Sequence, residues 1–111
     1  MKVYLPKKGD FISLTFDPQS GHEQRGRRPA LVVSNTLFNQ RTGLAIVCPL
    51  TTAHRGYPFH VAVIGNPDVK GFVMVEQVKS IDYRARQAKL IGKASDDLLD
   101  EVLSILDACI C

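Results

Sequence analysis

The amino-acid sequence predicts a mostly β (α+β) fold, a small antiparallel barrel with a C-terminal amphipathic helix. Three observations predict it: several short runs of strand-forming residues, connections too short for helical crossovers, and helical periodicity near the end of the chain. The 111 residues are 45% hydrophobic and 23% charged, which is typical of a globular protein. We therefore expect a single domain over residues 1–111.

Short strands account for most of the chain, and turn-forming residues separate them. The predicted strands lie at residues 10–16, 30–34, 44–50, 59–64, 71–78 and 85–91. The runs at 30–34 and 44–50 are almost continuously apolar, so we expect both faces of those strands to be covered. Residues 35–43 are expected to form a turn-rich connection and residues 51–58 a loop.

The C-terminal segment changes to a helical pattern. Ser95 is a good N-cap, and Asp96 and Asp97 would lie in the first turn, where carboxylates favour the helix dipole. Apolar residues then recur at helical spacing, at positions 98, 99, 102, 103, 105 and 106. This pattern predicts an amphipathic helix with one face on the sheet or on a second subunit.

Several classes of site are excluded by their missing motifs. The sequence has no P-loop, no HExxH and no Cys/His set with zinc spacing. Acidic residues outside the C-terminal segment are few and scattered, which disfavours a two-metal centre. His60 alternates within a predicted strand and is interpreted as a surface or edge residue. We expect any catalysis to need neither metal nor cofactor.

Cysteine usage and hydropathy indicate the compartment. The three cysteines form no CxxC pair, and an odd count without an apolar leader is typical of a reducing environment. No apolar run approaches the length that a bilayer requires. We therefore expect a cytoplasmic protein that does not associate with a membrane.

A long polar segment at residues 17–29 carries the clearest candidates for chemistry. It contains Glu23, Arg25, Arg27 and Arg28, and it runs directly into an apolar strand. Guanidinium groups match phosphate oxygens, and Arg28 would lie where a flexible loop meets a rigid scaffold. The alternative is structural: Arg28 caps a strand or pairs with Glu23, and the charges form a solvated face.

Two later segments are also candidates. Thr51 and Thr52 directly follow a strand, where their hydroxyls can bind a phosphate oxygen or only stabilise a turn. A basic stretch includes Lys79, Arg84 and Arg86. The net charge of +3 permits an anionic partner without proving one.

Five ordered blocks of sequence span nearly the whole chain. These blocks are FDP with GHEQ at residues 16–18 and 21–24, GRRPALVVS at 26–34, PLTT at 49–52, GYPF at 56–59, and QVKSID with RAR at 77–82 and 84–86. No single block is decisive, but the ordered set is highly specific, and it resembles the MazF/PemK toxin family.

The resemblance implies a fold, an activity and partners. The family fold is a small SH3-like barrel with a C-terminal helix, and its members are homodimers that cleave single-stranded RNA, often mRNA, at short sequences. Cleavage leaves a 2′,3′-cyclic phosphate and a 5′-hydroxyl. A cognate MazE-like antitoxin neutralises the toxin, and operator DNA would be bound only by the toxin–antitoxin complex.

The resemblance also assigns roles to residues. The family's central Arg falls on Arg28, its catalytic Thr on Thr51 and its loop Glu on Glu23. Some members have His just before the catalytic Arg, where this chain has Arg27, so the group that takes the 2′-hydroxyl proton stays open. Arg28 and Thr51 would stabilise charge on the phosphoryl oxygens, and Glu23 would act as general base or orient Arg28.

RNA recognition needs other side chains, since splayed bases are stacked and hydrogen-bonded on their edges. The candidates are Arg25, Arg27, Asn39, Thr52, Gln77, Lys79, Arg84 and Arg86. The aromatic residues Tyr57, Phe59 and Tyr83 are candidates for base stacking, although most aromatic residues are expected in the core.

Two alternatives remain open from the sequence. CcdB-like toxins share the barrel and poison DNA gyrase without a nuclease centre, typically through a C-terminal Trp; this chain has no Trp. The second alternative is a catalytically inactive family member that only binds its antitoxin or its operator DNA.

Overall fold

Seven strands and two α-helices follow one another in the computed structural model, which describes residues 3–15 and 26–111. The strands are β1 (Asp10–Thr15), β2 (Arg27–Val32), β3 (Leu44–Thr51), β4 (His60–Val63), β5 (Gly71–Met74), β6 (Lys79–Asp82) and β7 (Lys89–Lys93). The helices are α1 (Thr36–Thr42) and α2 (Asp96–Ile110), and a 3₁₀ turn spans Val75–Gln77. The predicted mostly β fold with a C-terminal helix is confirmed.

All strand pairs in the described residues are antiparallel, in the order β4-β5-β3-β2-β1-β7. The long strand β3 has two partners in succession on one side. Its first half pairs with β6, from Leu44 opposite Asp82 to Val47 opposite Lys79. Its last residues pair with β5, where Thr51 is opposite Phe72. This change of partner curls the sheet into a half-barrel.

Apolar side chains lie on both faces of the curled sheet. Because successive residues of a strand point to opposite faces, Phe11 and Leu31 belong to one cluster while their neighbours Ile12 and Val32 belong to a second. All four side chains are fully buried. This double coverage is the reason that the central strands read as continuous apolar runs in the sequence.

Helix α2 covers the first cluster, as its periodicity predicts. The Ser95 hydroxyl accepts a hydrogen bond from the Leu98 N–H at 3.1 Å, and Asp96 and Asp97 occupy the first turn. Val102 is fully buried in the cluster. Burying such a side chain stabilises the fold by about 1.5–3 kcal/mol.

The segment predicted as a turn-rich connection at 35–43 instead contains α1, so that prediction is wrong. Asn35 caps the helix by accepting the Phe38 N–H at 2.9 Å, and Gly43 ends it with a left-handed φ of 75°. The helix has seven residues, too few for its periodicity to be visible in the sequence.

Three strands also differ from their predicted bounds by more than one residue. Strand β2 begins at Arg27 and includes the end of the segment predicted as a loop. Strand β5 ends at Met74, where the 3₁₀ turn redirects the chain into β6, which was not predicted separately. The last strand lies at Lys89–Lys93, a few residues later than predicted.

Asn39 was predicted to read RNA bases, and the structure contradicts this because the residue is fully buried. Its carboxamide donates to the Pro6 carbonyl at 2.8 Å and accepts the Ser34 hydroxyl. Its backbone carbonyl accepts the Tyr83 hydroxyl at 2.9 Å. Asn39 therefore joins three segments of the fold, and its side chain has no access to a ligand.

His60 was interpreted as a surface or edge residue, and it does lie in β4, at the end of the strand order, but only 3% of its side chain is exposed. Its Nε2 lies 2.9 Å from a carboxylate oxygen of Glu76, and the Tyr57 ring lies beside the imidazole. Burial pushes the pKa of Glu76 upward, but hydrogen bonds from His60 and from its own backbone outweigh it, so this pKa lies below its ordinary value.

The lowered pKa of Glu76 predicts a pH-dependent contribution to stability. A depressed carboxyl pKa stabilises the fold above the ordinary value of 4.5 and ceases to do so as pH falls through the lowered value. Glu76→Gln should therefore lower the urea midpoint at neutral pH, and the difference from wild type should shrink at about pH 3. If the urea midpoints of Glu76→Gln and wild type differed equally at both pH values, the role given to the carboxylate would be contradicted. Glu101→Gln, at an exposed site on α2, is the control.

The cysteines give a second prediction. Cys48 is fully buried, and burial together with the charge of Glu76 raises the pKa of its thiol to about 12, whereas Cys109 and Cys111 are exposed. A disulfide reagent should titrate two thiols in the native protein and three in denaturant. Cys48→Ala should remove one thiol from the denatured count only. Rapid loss of all three native thiols would show that the core around Cys48 opens.

Candidate active site

Alternation along β2 and β3 directs Arg28 and Thr51 to one face of this strand pair. The register sets Ala30 opposite Pro49 and Val32 opposite Val47. Arg28 lies two residues before Ala30 and Thr51 two residues after Pro49, so each projects to the same side as that residue. Residues directly opposite each other in antiparallel strands project to the same face. Arg28 and Thr51 therefore share the face of Ala30 and Val47.

Arg28 and Thr51 also line one open cavity of about 290 Å³. Pro29, Leu50, Thr52 and Lys70 complete its lining. We call it the phosphate cavity because its polar lining consists of cations and hydroxyls, and none of the described residues that line it is acidic. The two predicted groups at the chemical centre are thus brought together, with Thr52 beside them.

A second cavity of about 270 Å³ lies next to the first and shares Arg28 and Pro29 with it. Three predicted RNA-binding side chains line it, namely Gln77, Lys79 and Arg86. Its remaining lining is largely apolar and includes Val47, Met74 and Ile81. We call it the base cavity because an apolar floor with a polar rim suits a flat ring with hydrogen-bonding edges.

Arg27 is not brought into either cavity. It precedes Arg28 in the same strand and therefore points to the opposite face. Its Nε donates to the Ser13 hydroxyl at 2.8 Å, and its Nη2 donates to the carbonyls of Ser13 and Gln87. The guanidinium thus links β1 to the turn before β7. This position does not favour the RNA contact predicted for Arg27.

The other predicted residues have different positions. Arg84 is exposed in the turn after β6 and lines neither cavity. Glu23 and Arg25 lie outside the described residues. The described residues 3–15 and 26–111 hold no group of three or more His, Cys, Asp or Glu that could hold a metal ion.

Thr51 is fixed by its neighbours. Its hydroxyl accepts the Ala53 N–H at 3.1 Å, and a hydroxyl that accepts one hydrogen bond can still donate its proton. Gly71 lies against its backbone, since a Cβ at residue 71 would be 2.5 Å from the Thr51 carbonyl oxygen. Gly71 also has a φ of 120°, which favours glycine.

Sequence reasoning missed Lys70 and Gly71. Neither lies in a motif block, and a glycine at the start of a strand has an ordinary structural explanation. Only the pairing of β5 with the end of β3 brings them to Thr51. A lysine followed by a glycine before an apolar strand is too common a pattern to have identified them.

The chain is similar to known proteins over nearly its whole length. Residues 7–110 match the family described as PemK-like, MazF-like toxins of type II toxin–antitoxin systems. Endoribonuclease toxin MazF of Escherichia coli K12 is 39% identical over 107 residues, covering 96% of each chain. Endoribonuclease toxin ChpB of the same organism is 42% identical, covering 94% of this chain and 93% of the relative.

A solved structure is also similar over nearly the full length. A crystal structure of MazE–MazF (Form II) from Deinococcus radiodurans superposes with a TM-score of 0.90 and 42% identity, covering 97% of both chains. None of these relatives is a gyrase-poisoning toxin, so they do not support the CcdB-like alternative. None of the helices in the described residues could span a bilayer. The matches over nearly the whole length show that this chain belongs to the PemK-like, MazF-like toxins of type II toxin–antitoxin systems and is an endoribonuclease of that family.

Proposed function

We propose that this chain cleaves single-stranded RNA through attack of the substrate's own 2′-hydroxyl on the adjacent phosphorus, with Arg28 and Thr51 holding the phosphate. The observation that carries the proposal is that both side chains line one cavity. Because the nucleophile belongs to the RNA, the reaction requires no protein nucleophile and no metal ion.

In the proposed step, a bond forms between the 2′-oxygen and phosphorus while the bond from phosphorus to the 5′-oxygen breaks. The 2′-hydroxyl loses a proton and the leaving 5′-oxygen gains one, which gives a 2′,3′-cyclic phosphate and a 5′-hydroxyl. Negative charge grows on the non-bridging oxygens in the transition state. Arg28 stabilises it by charge-assisted hydrogen bonds, and Thr51 donates one more from its hydroxyl.

Proton transfer needs a different group, because a guanidinium keeps its proton in proteins and so cannot act as a base. Glu23 is the candidate general base on the family resemblance, with orientation of Arg28 as its alternative role. The base cavity beside Arg28 suits a nucleobase next to the cleaved bond. Gln77 would hydrogen-bond a base edge there, while Lys79 and Arg86 would contact the backbone or the base.

We further propose that the protein is a cytoplasmic homodimer neutralised by a cognate antitoxin. The Deinococcus radiodurans MazE–MazF structure, at 42% identity, supports such a partner. An acidic, partly disordered antitoxin segment would complement Arg28, Lys79 and Arg86 around the two cavities. Operator DNA would be bound by the toxin–antitoxin complex rather than by the toxin alone.

Removal of the Arg28 charge should abolish most of the cleavage. Arg28→Ala should lower the rate by about 10²- to 10³-fold, by analogy with the loss of one oxyanion donor. The measurement is cleavage of a long RNA by purified protein in EDTA, with the 5′ ends of the products sequenced. Arg41→Ala, at an exposed site in the last turn of α1, removes the same charge elsewhere and should cut at the wild-type rate.

The hydroxyl is tested by a matched pair at residue 51. Thr51→Ser keeps the hydroxyl and should retain most of the activity, whereas Thr51→Val keeps the shape and should lose it. Equal rates for the two variants, or near wild-type cleavage by Arg28→Ala, would refute the proposed centre. Wild-type protein that binds RNA without cutting it would instead identify an inactive family member.

The contact of Gly71 with Thr51 gives a further prediction. Gly71→Ala should slow cleavage at least tenfold, since even a displacement of about 1 Å at a reacting group can cost about 10²-fold in rate. The control is Gly65→Ala: Gly65 also has a positive φ, of 74°, but an added Cβ there would have no neighbouring atom within 4 Å. Rates are compared at a temperature where circular dichroism shows both variants folded. Equal effects of the two substitutions would mean that only backbone strain matters.

A further inference from the structure

We propose that Lys70 is a second phosphate-binding cation of the cleavage site, acting beside Arg28. This inference rests on the proposed function, because it assigns Lys70 to the phosphate that Arg28 and Thr51 hold. Lys70 lines the phosphate cavity together with Arg28, Thr51 and Thr52. It lies in the connection between β4 and β5, outside every segment that the sequence singles out for chemistry.

The backbone on both sides of Lys70 is fixed. Val69 is buried in the apolar cluster beneath α2, and its N–H donates to the Asn66 side chain at 3.0 Å. The Asn66 side chain also donates to the Lys93 carbonyl at 2.9 Å, which ties the connection to β7. On the other side, Gly71 lies against Thr51. The stem of Lys70 therefore starts from a defined point at the edge of the cavity.

None of the described residues neutralises the charge of Lys70. Within residues 3–15 and 26–111, its ammonium makes no ion pair or hydrogen bond with another described residue. The side chain is exposed and also borders a neighbouring cavity lined by Asp68, the acidic group that would compete for it. A lysine ammonium is a mobile point charge with three donors, so it can follow a phosphate that a planar guanidinium already holds.

The reaction gives this second cation a purpose. The phosphodiester carries one negative charge, and more develops on its oxygens as the 2′-oxygen attacks. A cation that meets the growing charge accelerates the reaction, whereas one that binds substrate and transition state equally improves only binding. Lys70 is expected to contribute both to substrate binding and to the rate of reaction, because it lines the cavity in which the phosphate is held before and during attack.

The experiment compares Lys70→Gln, Lys70→Arg and Lys8→Gln with wild type. Lys8 is exposed and lines neither cavity, so its substitution removes the same charge elsewhere. Lys70→Gln should lower kcat/KM about tenfold, less than loss of a preorganised oxyanion donor because the ammonium is exposed. Lys70→Arg should restore most of the activity, and Lys8→Gln should match wild type.

Binding is measured separately on an RNA oligonucleotide with a 2′-deoxy nucleotide at the cleavage site, which cannot react. Lys70→Gln should reduce the slope of log affinity against log salt by about 0.7, the value for one phosphate contact on a single strand. Cleavage positions should stay unchanged, because phosphate contacts carry no sequence information.

Either of two results would overturn the inference. In the first, Lys70→Gln has the same cleavage rate and the same salt slope as Lys8→Gln. In the second, Lys70→Gln changes the cleavage sequence, which would make Lys70 a base-reading residue. Failure of the proposed function gives a different result, because wild-type protein would then leave RNA intact. In that case the binding experiment still decides whether Lys70 contacts phosphate.

Discussion

The antiparallel register between β2 and β3 is the constraint on which the active site depends. Slipping the register by one residue would move every side chain of β2 to the other face of the sheet, and Arg28 would leave the cavity that Thr51 lines. Ala30, Leu31 and Val32 resist such a slip because all three are buried and face two different apolar clusters. A slip would exchange residues of different volume between two packed cores.

Two neighbouring arginines of β2 have different environments because side chains alternate along the strand. Arg27 and Arg28 are chemically identical, but strand alternation sends one to each face. Arg27 is bonded to Ser13 and Gln87 and holds β1 to the turn before β7. Arg27 therefore supports the strand that presents Arg28.

Much of the fold follows from local patterns. The central apolar strands and the capped C-terminal helix α2 are predicted because each has a strong periodicity or cap of its own. The sequence does not predict α1 or β6, since a seven-residue helix shows no clear period and a 3₁₀ turn separates β5 from β6. Asn39 was misassigned because burial of a polar residue depends on partners such as Pro6, 33 residues away in sequence.

The residues of the candidate site divide in the same way. Arg28 and Thr51 could be identified from a motif resemblance, which needs no knowledge of pairing. Lys70 and Gly71 could not, because their relation to Thr51 arises only when β5 pairs with the end of β3. Residues that act by proximity across a sheet leave no spacing signal in the chain.

Arg86 supplies a positive charge to the base cavity from the short turn between β6 and β7. The Thr15 N–H donates to the Arg86 carbonyl at 2.9 Å, and the Thr15 hydroxyl donates to the same oxygen at 3.0 Å. These bonds fix the backbone of Arg86 at the end of β1, next to the strand that carries Arg28. Since Arg28 and Arg86 both start from backbone held by β1, their mutual placement is set by the fold before any RNA is bound. Such preorganisation would strengthen the interaction of these two cations with a phosphate, which water and salt would weaken at an unstructured surface.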